Sequence, residues 1–189
     1  MTYTMPIHRP RRLRINKNMR DFVASTNISL NDIICPLFII EGTGKTSPVK
    51  SLPNISRYTV DTLVDKIQEL YNKGIKGFAL FPYTPSEKKD DMGTESINAD
   101  NLINSAMRSI KEVCPDCILF ADVALDPYTN HGHDGVLDDK GYVLNDKTVK
   151  ILTKQAVVQA QNGADVICPS DMMDGSVEAG SIFGGIRHN

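Results

Sequence analysis

Cys117-Ile-Leu-Phe-Ala-Asp-Val-Ala-Leu125 is apolar throughout except at Asp122. A strand with one wet face alternates apolar and polar residues. A run apolar at both parities belongs to a strand covered on both faces, as in parallel sheets. Residues 37–40, 77–82 and 164–169 have the same character, so the sequence predicts four buried strands.

Helical patterns separate them. Val60, Leu63, Val64, Ile67, Leu70 and Tyr71 recur at i, i+3, i+4 and i+7, with Thr59 placed to cap the start and Gly74 to end the helix. Leu102, Ile103, Ala106, Met107 and Ile110 mark a second helix. Val149, Leu152, Ala156, Val157 and Ala160 mark a third, beginning near Asn145 or Asp146 and ending before Gly163. A helical turn is expected over residues 29–33. The order β-α-β-α-β-α-β implies a parallel sheet with right-handed crossovers, an α/β chain. Gly42-Thr-Gly-Lys45 is too short for a phosphate loop and precedes no helical pattern, which disfavours a doubly wound nucleotide-binding fold.

Chemistry concentrates where the third strand ends, in Asp122-Val-Ala-Leu-Asp-Pro-Tyr-Thr-Asn-His-Gly-His-Asp-Gly135. Alternate strand residues share a face, so Asp122, Ala124 and Asp126 point the same way. Carboxylates there are costly to bury unless paired, hydrated or metal-bound. His131, His133 and Asp134 follow on a loop held by Pro127 and Gly132. Oxygen-rich ligands favour magnesium over zinc. The blander reading is a solvated acidic loop with capping aspartates. Ser170, Asp171 and Asp174 repeat the theme after the fourth strand, where Ser170 or Asp171 also suits a helix N-cap.

The bulk numbers narrow the class. The 189 residues are 41% hydrophobic and 23% charged, ordinary for a globular domain, and a formal charge of −2 argues against bulk nucleic-acid binding. No run is long and apolar enough to span a bilayer, and no secretory leader is visible. Arg9, Arg11, Arg12, Arg14, Lys17 and Arg20 crowd the first twenty residues without an acid. Pro6 and Pro10 interrupt a helix there, so a docking arm over residues 1–33 is expected in preference to a transit peptide. Cys35 and Cys168 read as core residues. Cys114-x-x-Cys117 lacks a second ligand pair for zinc. The pattern suits reduced thiols and a cytoplasmic location.

Arg9-Pro-Arg-Arg-Leu-Arg14, Pro36-Leu-Phe-Ile39, Ala79-Leu-Phe-Pro82, the 122–135 motif and Pro169-Ser-Asp-Met-Met-Asp-Gly175 together resemble the porphobilinogen synthase (delta-aminolevulinic acid dehydratase) family up to about Ala179. The resemblance implies a lyase of tetrapyrrole and haem biosynthesis. Its fold is a (β/α)8 TIM barrel whose N-terminal arm wraps a neighbouring subunit, usually in an octamer. It condenses two molecules of 5-aminolevulinate into porphobilinogen. Zinc-dependent members carry cysteines at the positions of Ala124, Asp126 and Asp134, so this chain looks like the magnesium type. The resemblance makes Asp122, Ser170 and Asp171 pocket residues and leaves Asp126 and Asp134, with His131 and His133 nearby, as metal ligands.

The family also holds its substrates as Schiff bases on two lysines from later strands. Lys76, Lys111, Lys147, Lys150 and Lys154 match neither context, because they precede a strand or lie on helices with solvated charged faces. The expected domain plan is therefore an arm over 1–33, a barrel truncated after about four βα units over 34–179, and an atypical glycine-rich tail over 180–189. The expected function is a porphobilinogen synthase-like protein, inactive alone. The alternatives are activity with a complementing fragment or a second copy, a non-enzymatic fragment that associates with full-length subunits, and another barrel enzyme such as a metal-dependent aldolase.

Overall fold

The computed structural model describes residues 7–179, so the glycine-rich tail expected over 180–189 and the first six residues of the arm lie outside the described residues. Six strands form one sheet: β1 (Ile34–Ile39), β2 (Thr46–Pro48), β3 (Ser56–Tyr58), β4 (Gly77–Pro82), β5 (Ile118–Val123) and β6 (Val166–Pro169). The order across the sheet is β2-β3-β1-β4-β5-β6. The four apolar runs become β1, β4, β5 and β6, all parallel and in chain order. A doubly wound sheet reverses its strand order at a switch point. Among the described residues these four strands do not reverse, so their C-terminal ends share one rim.

The antiparallel pair β2–β3 was not expected. It is short and partly polar, and β3 pairs with β1 at Phe38↔Arg57 and Ile39↔Tyr58. This hairpin covers the outer edge of β1 near its C-terminal end.

Helices α2 (Val60–Asn72), α3 (Leu102–Val113) and α4 (Asn145–Gln161) occupy the predicted places. Thr59 is the N-cap residue of α2, but its hydroxyl does not cap the helix. The Thr59 Oγ1 instead lies 3.0 Å from the Lys45 amide nitrogen, 3.2 Å from the Lys45 carbonyl and 2.5 Å from Asp61 Oδ1, fastening the connection that leads into β2 to the helix. Gly74 follows the helix at φ +106°, a conformation few other residues adopt, and Leu30 packs against it so closely that a Cβ would lie 2.7 Å from Leu30 Cδ1.

The arm is less extended than its prolines suggest. Pro10–Arg14 is a 3-10 turn with Pro10 at its first position, where a missing N–H costs nothing. Helix α1 (Lys17–Phe22) follows, capped by the Asn16 side chain. The turn expected at 29–33 is a 3-10 turn, Leu30–Asp32, closed by a Ser29–Asp32 capping box. Residues 176–179 are helical.

One core cluster packs Leu63 and Ile67 of α2 and Ile103, Met107 and Ile110 of α3 against Ile39, Phe78, Leu80 and Leu119. Each such fully buried side chain contributes about 1.5–3 kcal/mol. A second cluster places Leu152 and Ala156 of α4 against Val123, Leu125, Val136 and Met173, beneath the acidic loop. Among the described residues no helix is long and apolar enough to cross a membrane.

Candidate active site

At the C-terminal strand rim a cavity of about 580 Å³ is lined by Phe38, Phe81, Pro82, Tyr83, Ala124 and Pro127, with Arg57, Lys89, Asp122, Asp126, Asp134 and Ser170 as its polar members. Asp122, Ala124 and Asp126 all reach it, although β5 ends at Val123 and Asp126 lies in the turn beyond it rather than on the strand. A second groove, about 770 Å³, runs along α4 and is mostly apolar. The rim cavity is the better site candidate because it gathers the two carboxyls that burial raises, Asp122 and Asp126.

Asp122 sits on β5, half-buried, and Ser170 donates its hydroxyl to Asp122 Oδ1 at 2.5 Å. The β5–β6 register, Asp122↔Cys168 and Val123↔Pro169, brings Ser170 alongside. Burial pushes the Asp122 carboxyl above the usual aspartate range, the Asp171 charge adds to this, and the Ser170 hydrogen bond opposes it. Asp126 is raised as well, first by desolvation and then by the charges of Asp134 and Asp122, while Lys89 pulls the other way. Tyr128, buried beneath the loop, has its phenol pushed up by burial and by Asp122, Glu95 and Asp126, so it stays protonated. Two carboxyls raised by burial in one cavity suit proton transfer.

Three predicted site residues stand apart from the cavity. Asp171 does not line it. Its Oδ1 accepts the Met173 amide at 2.6 Å, the local turn-capping role, and its Oδ2 is buried without a hydrogen-bond partner among the described residues. His131 and His133 face their own loop. His131 Nδ1 accepts the His133 amide at 3.1 Å, and His133 Nδ1 accepts the Gly135 amide at 3.3 Å. Among the described residues no group of three or more His, Cys, Asp or Glu side chains could hold a metal ion. Of the expected metal ligands, Asp126 and Asp134 line the cavity and His131 and His133 do not, which leaves a set of two carboxylates. That set is too small for a closed zinc site. It fits a magnesium ion that keeps most of its water and takes one or two carboxylates.

Lys89 and Arg57 were missed by sequence reasoning. Lys89 sits in the polar loop after β4, beyond the short 3-10 turn Ser86–Lys88. Arg57 reaches the cavity from β3, its guanidinium 5.3 Å from the centre of the Tyr83 ring. No periodicity marks either residue; only the hairpin and the loop path bring them to the rim.

Known proteins match this chain over most of its length. The family described as "Delta-aminolevulinic acid dehydratase" matches residues 7–181. The delta-aminolevulinic acid dehydratase of Bradyrhizobium diazoefficiens is 44% identical over 171 residues, covering 90% of this chain and 48% of that protein. Its counterpart from Chlamydia pneumoniae is 41% identical over 89% of this chain and 51% of that protein. The crystal structure of delta-aminolevulinic acid dehydratase (porphobilinogen synthase) from Toxoplasma gondii ME49, in complex with the product porphobilinogen, superposes with a TM-score of 0.90. It is 44% identical and covers 93% of this chain and 50% of that one. The chain thus spans about half the length of the curated relatives it matches.

Proposed function

The chain belongs to the delta-aminolevulinic acid dehydratase family, and on that premise we propose that its rim cavity is the acid-bearing part of a site condensing two molecules of 5-aminolevulinate into porphobilinogen. The observation that carries this reading is the convergence of the Asp122–Ser170 pair, Asp126 and Asp134 with Lys89 and Arg57 in one cavity. 5-Aminolevulinate carries an ammonium and a carboxylate, and a cavity lined by both signs of charge complements both ends.

Forming the pyrrole ring requires protons to leave carbon and water to leave the condensed substrates. Asp122 holds or releases a proton at Oδ1 and Oδ2, and Ser170 orients it. Asp126, at the cavity mouth, is the second group able to carry a proton. Phe38, Phe81, Pro82 and Pro127 narrow the access of water. Asp126 and Asp134 would hold magnesium, which when bound supplies polarisation of an oxygen ligand. The (β/α)8 barrel architecture belongs to the same proposal, and strand-end placement of the acids is what that fold uses for catalysis.

Residues 1–189 alone are proposed to bind 5-aminolevulinate without turning it over. The family resemblance asks for two Schiff-base lysines, and Lys89 is the single lysine lining the cavity among the described residues. Lys76 lies over the Tyr71 ring, and Lys111 is paired with Asp165. The test is porphobilinogen formation and 5-aminolevulinate binding by purified chain with magnesium. Binding without product is expected. Product formation would overturn the argument from the lysines, and absence of both binding and product would overturn the site assignment.

A second reading has its own observation. Ile15, Phe22 and Ile28 of the arm are 74%, 89% and 84% exposed. Isolated apolar residues are common on surfaces, but this many on one short segment suit a covered contact. The chain would then associate with full-length subunits or with itself, as in the family octamer. Co-purification with full-length enzyme, lost in an Arg11→Glu, Arg12→Glu variant, is the expected result; equal capture by that variant removes the arm's basic residues from the contact.

A further inference from the structure

The pairing of β4 with β5 ends at Leu80↔Ala121, so the backbone carbonyl of Asp122 lies one residue past that ladder. A buried carbonyl without a partner is costly, so something must take its place. Two side chains do. Gln159 Nε2 donates to the Asp122 carbonyl at 2.9 Å, and Gln155 Nε2 approaches the same oxygen at 3.5 Å. Both glutamines lie one turn apart on the face of α4 turned toward β5, and each is only 1% exposed.

This arrangement is expensive. The Oε1 atoms of Gln155 and Gln159 are buried with no hydrogen-bond partner among the described residues. An unsatisfied buried amide oxygen costs about 1–3 kcal/mol, and leucine at either place would avoid it. Packing alone therefore does not account for two glutamines here. Their shared target is the backbone of the residue whose carboxyl meets Ser170 in the cavity.

We propose that Gln155 and Gln159 are positioning residues that clamp the Asp122 backbone, Gln159 as the principal donor, so that the Asp122 carboxyl is held against Ser170 and aimed into the cavity. The clamp acts across the strand. Helix α4 fixes the carbonyl on one side, and β6 supplies Ser170 on the other. Without the clamp, Asp122 and Val123 are held, among the described residues, by their β6 pairing beyond the last β4 partner at Ala121, and the Asp122 carboxyl can turn away. The inference rests on the reading of Asp122 as a working acid of the site, but its test does not use turnover.

The readout is the titration midpoint of Asp122, followed by carboxyl carbon-13 NMR in the aspartate-labelled chain without divalent metal. The groups that also titrate or carry charge around it are Asp171 and Cys168 on the β6 side, Asp126, Tyr128 and Asp134 on its own loop, and Arg57 and Lys89 across the cavity. They are the same in every variant compared. Ser170→Ala gives the reference, since losing the hydroxyl donor moves the midpoint up. Gln159→Leu and the near-isosteric Gln159→Met are expected to move it up comparably, and Gln155→Leu less, with the Asp165 signal unmoved in all three. In the unsubstituted chain the Gln159 side-chain amide signals should shift with the Asp122 midpoint, a measurement independent of whether any variant folds. An Asp122 midpoint unchanged in folded Gln159→Leu or Gln159→Met, or Gln159 amide signals indifferent to the Asp122 titration, overturns the proposal. Loss of 5-aminolevulinate binding by the unsubstituted chain would instead count against the functional reading and leave the clamp standing.

Discussion

The two ends of β5 treat charge in opposite ways. At the N-terminal end Asp165 accepts the Leu119 amide at 2.8 Å and pairs with Lys111 at 2.7 Å. Lys111 also donates to the Cys117 carbonyl at 2.7 Å. Beside them Cys117 is buried, its thiol pushed up to about 12 by burial and the neighbouring Cys114. Lys111 and Asp165 are both spent on their neighbours there. At the C-terminal end, a few residues along the same strand, Asp122 and Asp126 have no ion-pair partner among the described residues, and both carboxyls are raised. The first end holds the sheet together. The second leaves its charges available, an arrangement that lowers stability and is typical of a site.

The largest expected effect lies in the shared core. Leu119→Ala removes a fully buried side chain from β5 and should cost about 2–5 kcal/mol in denaturant unfolding. A cost under about 1 kcal/mol would mean that the core collapses onto the gap. Asp165→Ala comes next. Both partners of its ion pair are partly exposed, so solvent screening leaves about 1–2 kcal/mol, including the lost Leu119 hydrogen bond. Ligand binding should be unchanged, and weakened binding would mean that the two ends are coupled.

The third prediction reverses sign. Asp122→Asn with Asp126→Asn should stabilise the chain by about 1 kcal/mol at neutral pH while abolishing 5-aminolevulinate binding. Burial and neighbouring carboxylates penalise the ionised forms, so the folded chain holds these protons more tightly than the unfolded one. Their favourable contribution is fully present below the ordinary value of 3.8 and is lost as pH rises through the raised folded values. The stability gap between variant and parent should therefore close as pH falls toward 3.8. A gap that widens on acidification would contradict the direction assigned to both groups. Smallest is His131→Ala with His133→Ala, expected within about 0.5 kcal/mol of the parent and without effect on magnesium affinity. Lost magnesium binding in that variant would return the histidines to the ligand set.

The same contrast explains what the sequence revealed. Strand β4 was legible to the residue because Gly77-Phe-Ala-Leu-Phe-Pro82 is apolar at both parities and bounded by glycine and proline. The placement of Asp122 at the end of β5 was legible, but Ala124 and Asp126 reach the cavity from the turn after the strand rather than from its alternation. Strands β2 and β3 were not legible, because three-residue strands have too little pattern to register. Arg57 and Lys89 were missed with them, since their presence at the rim depends on a hairpin and a loop. The glutamine clamp was hidden for another reason. Gln155 and Gln159 read as polar positions on a helix, and only the end of the β4–β5 ladder at Leu80↔Ala121 gives them a buried target.

The most direct test of the contrast is to titrate 5-aminolevulinate into the nitrogen-15-labelled chain and map which backbone amides move. The account predicts shifts at Lys89, Asp122, Asp126, Asp134 and Ser170, with Lys111, Cys117 and Asp165 still. Shifts centred on Lys111, Cys117 and Asp165, or none at the rim at saturating ligand, would contradict it.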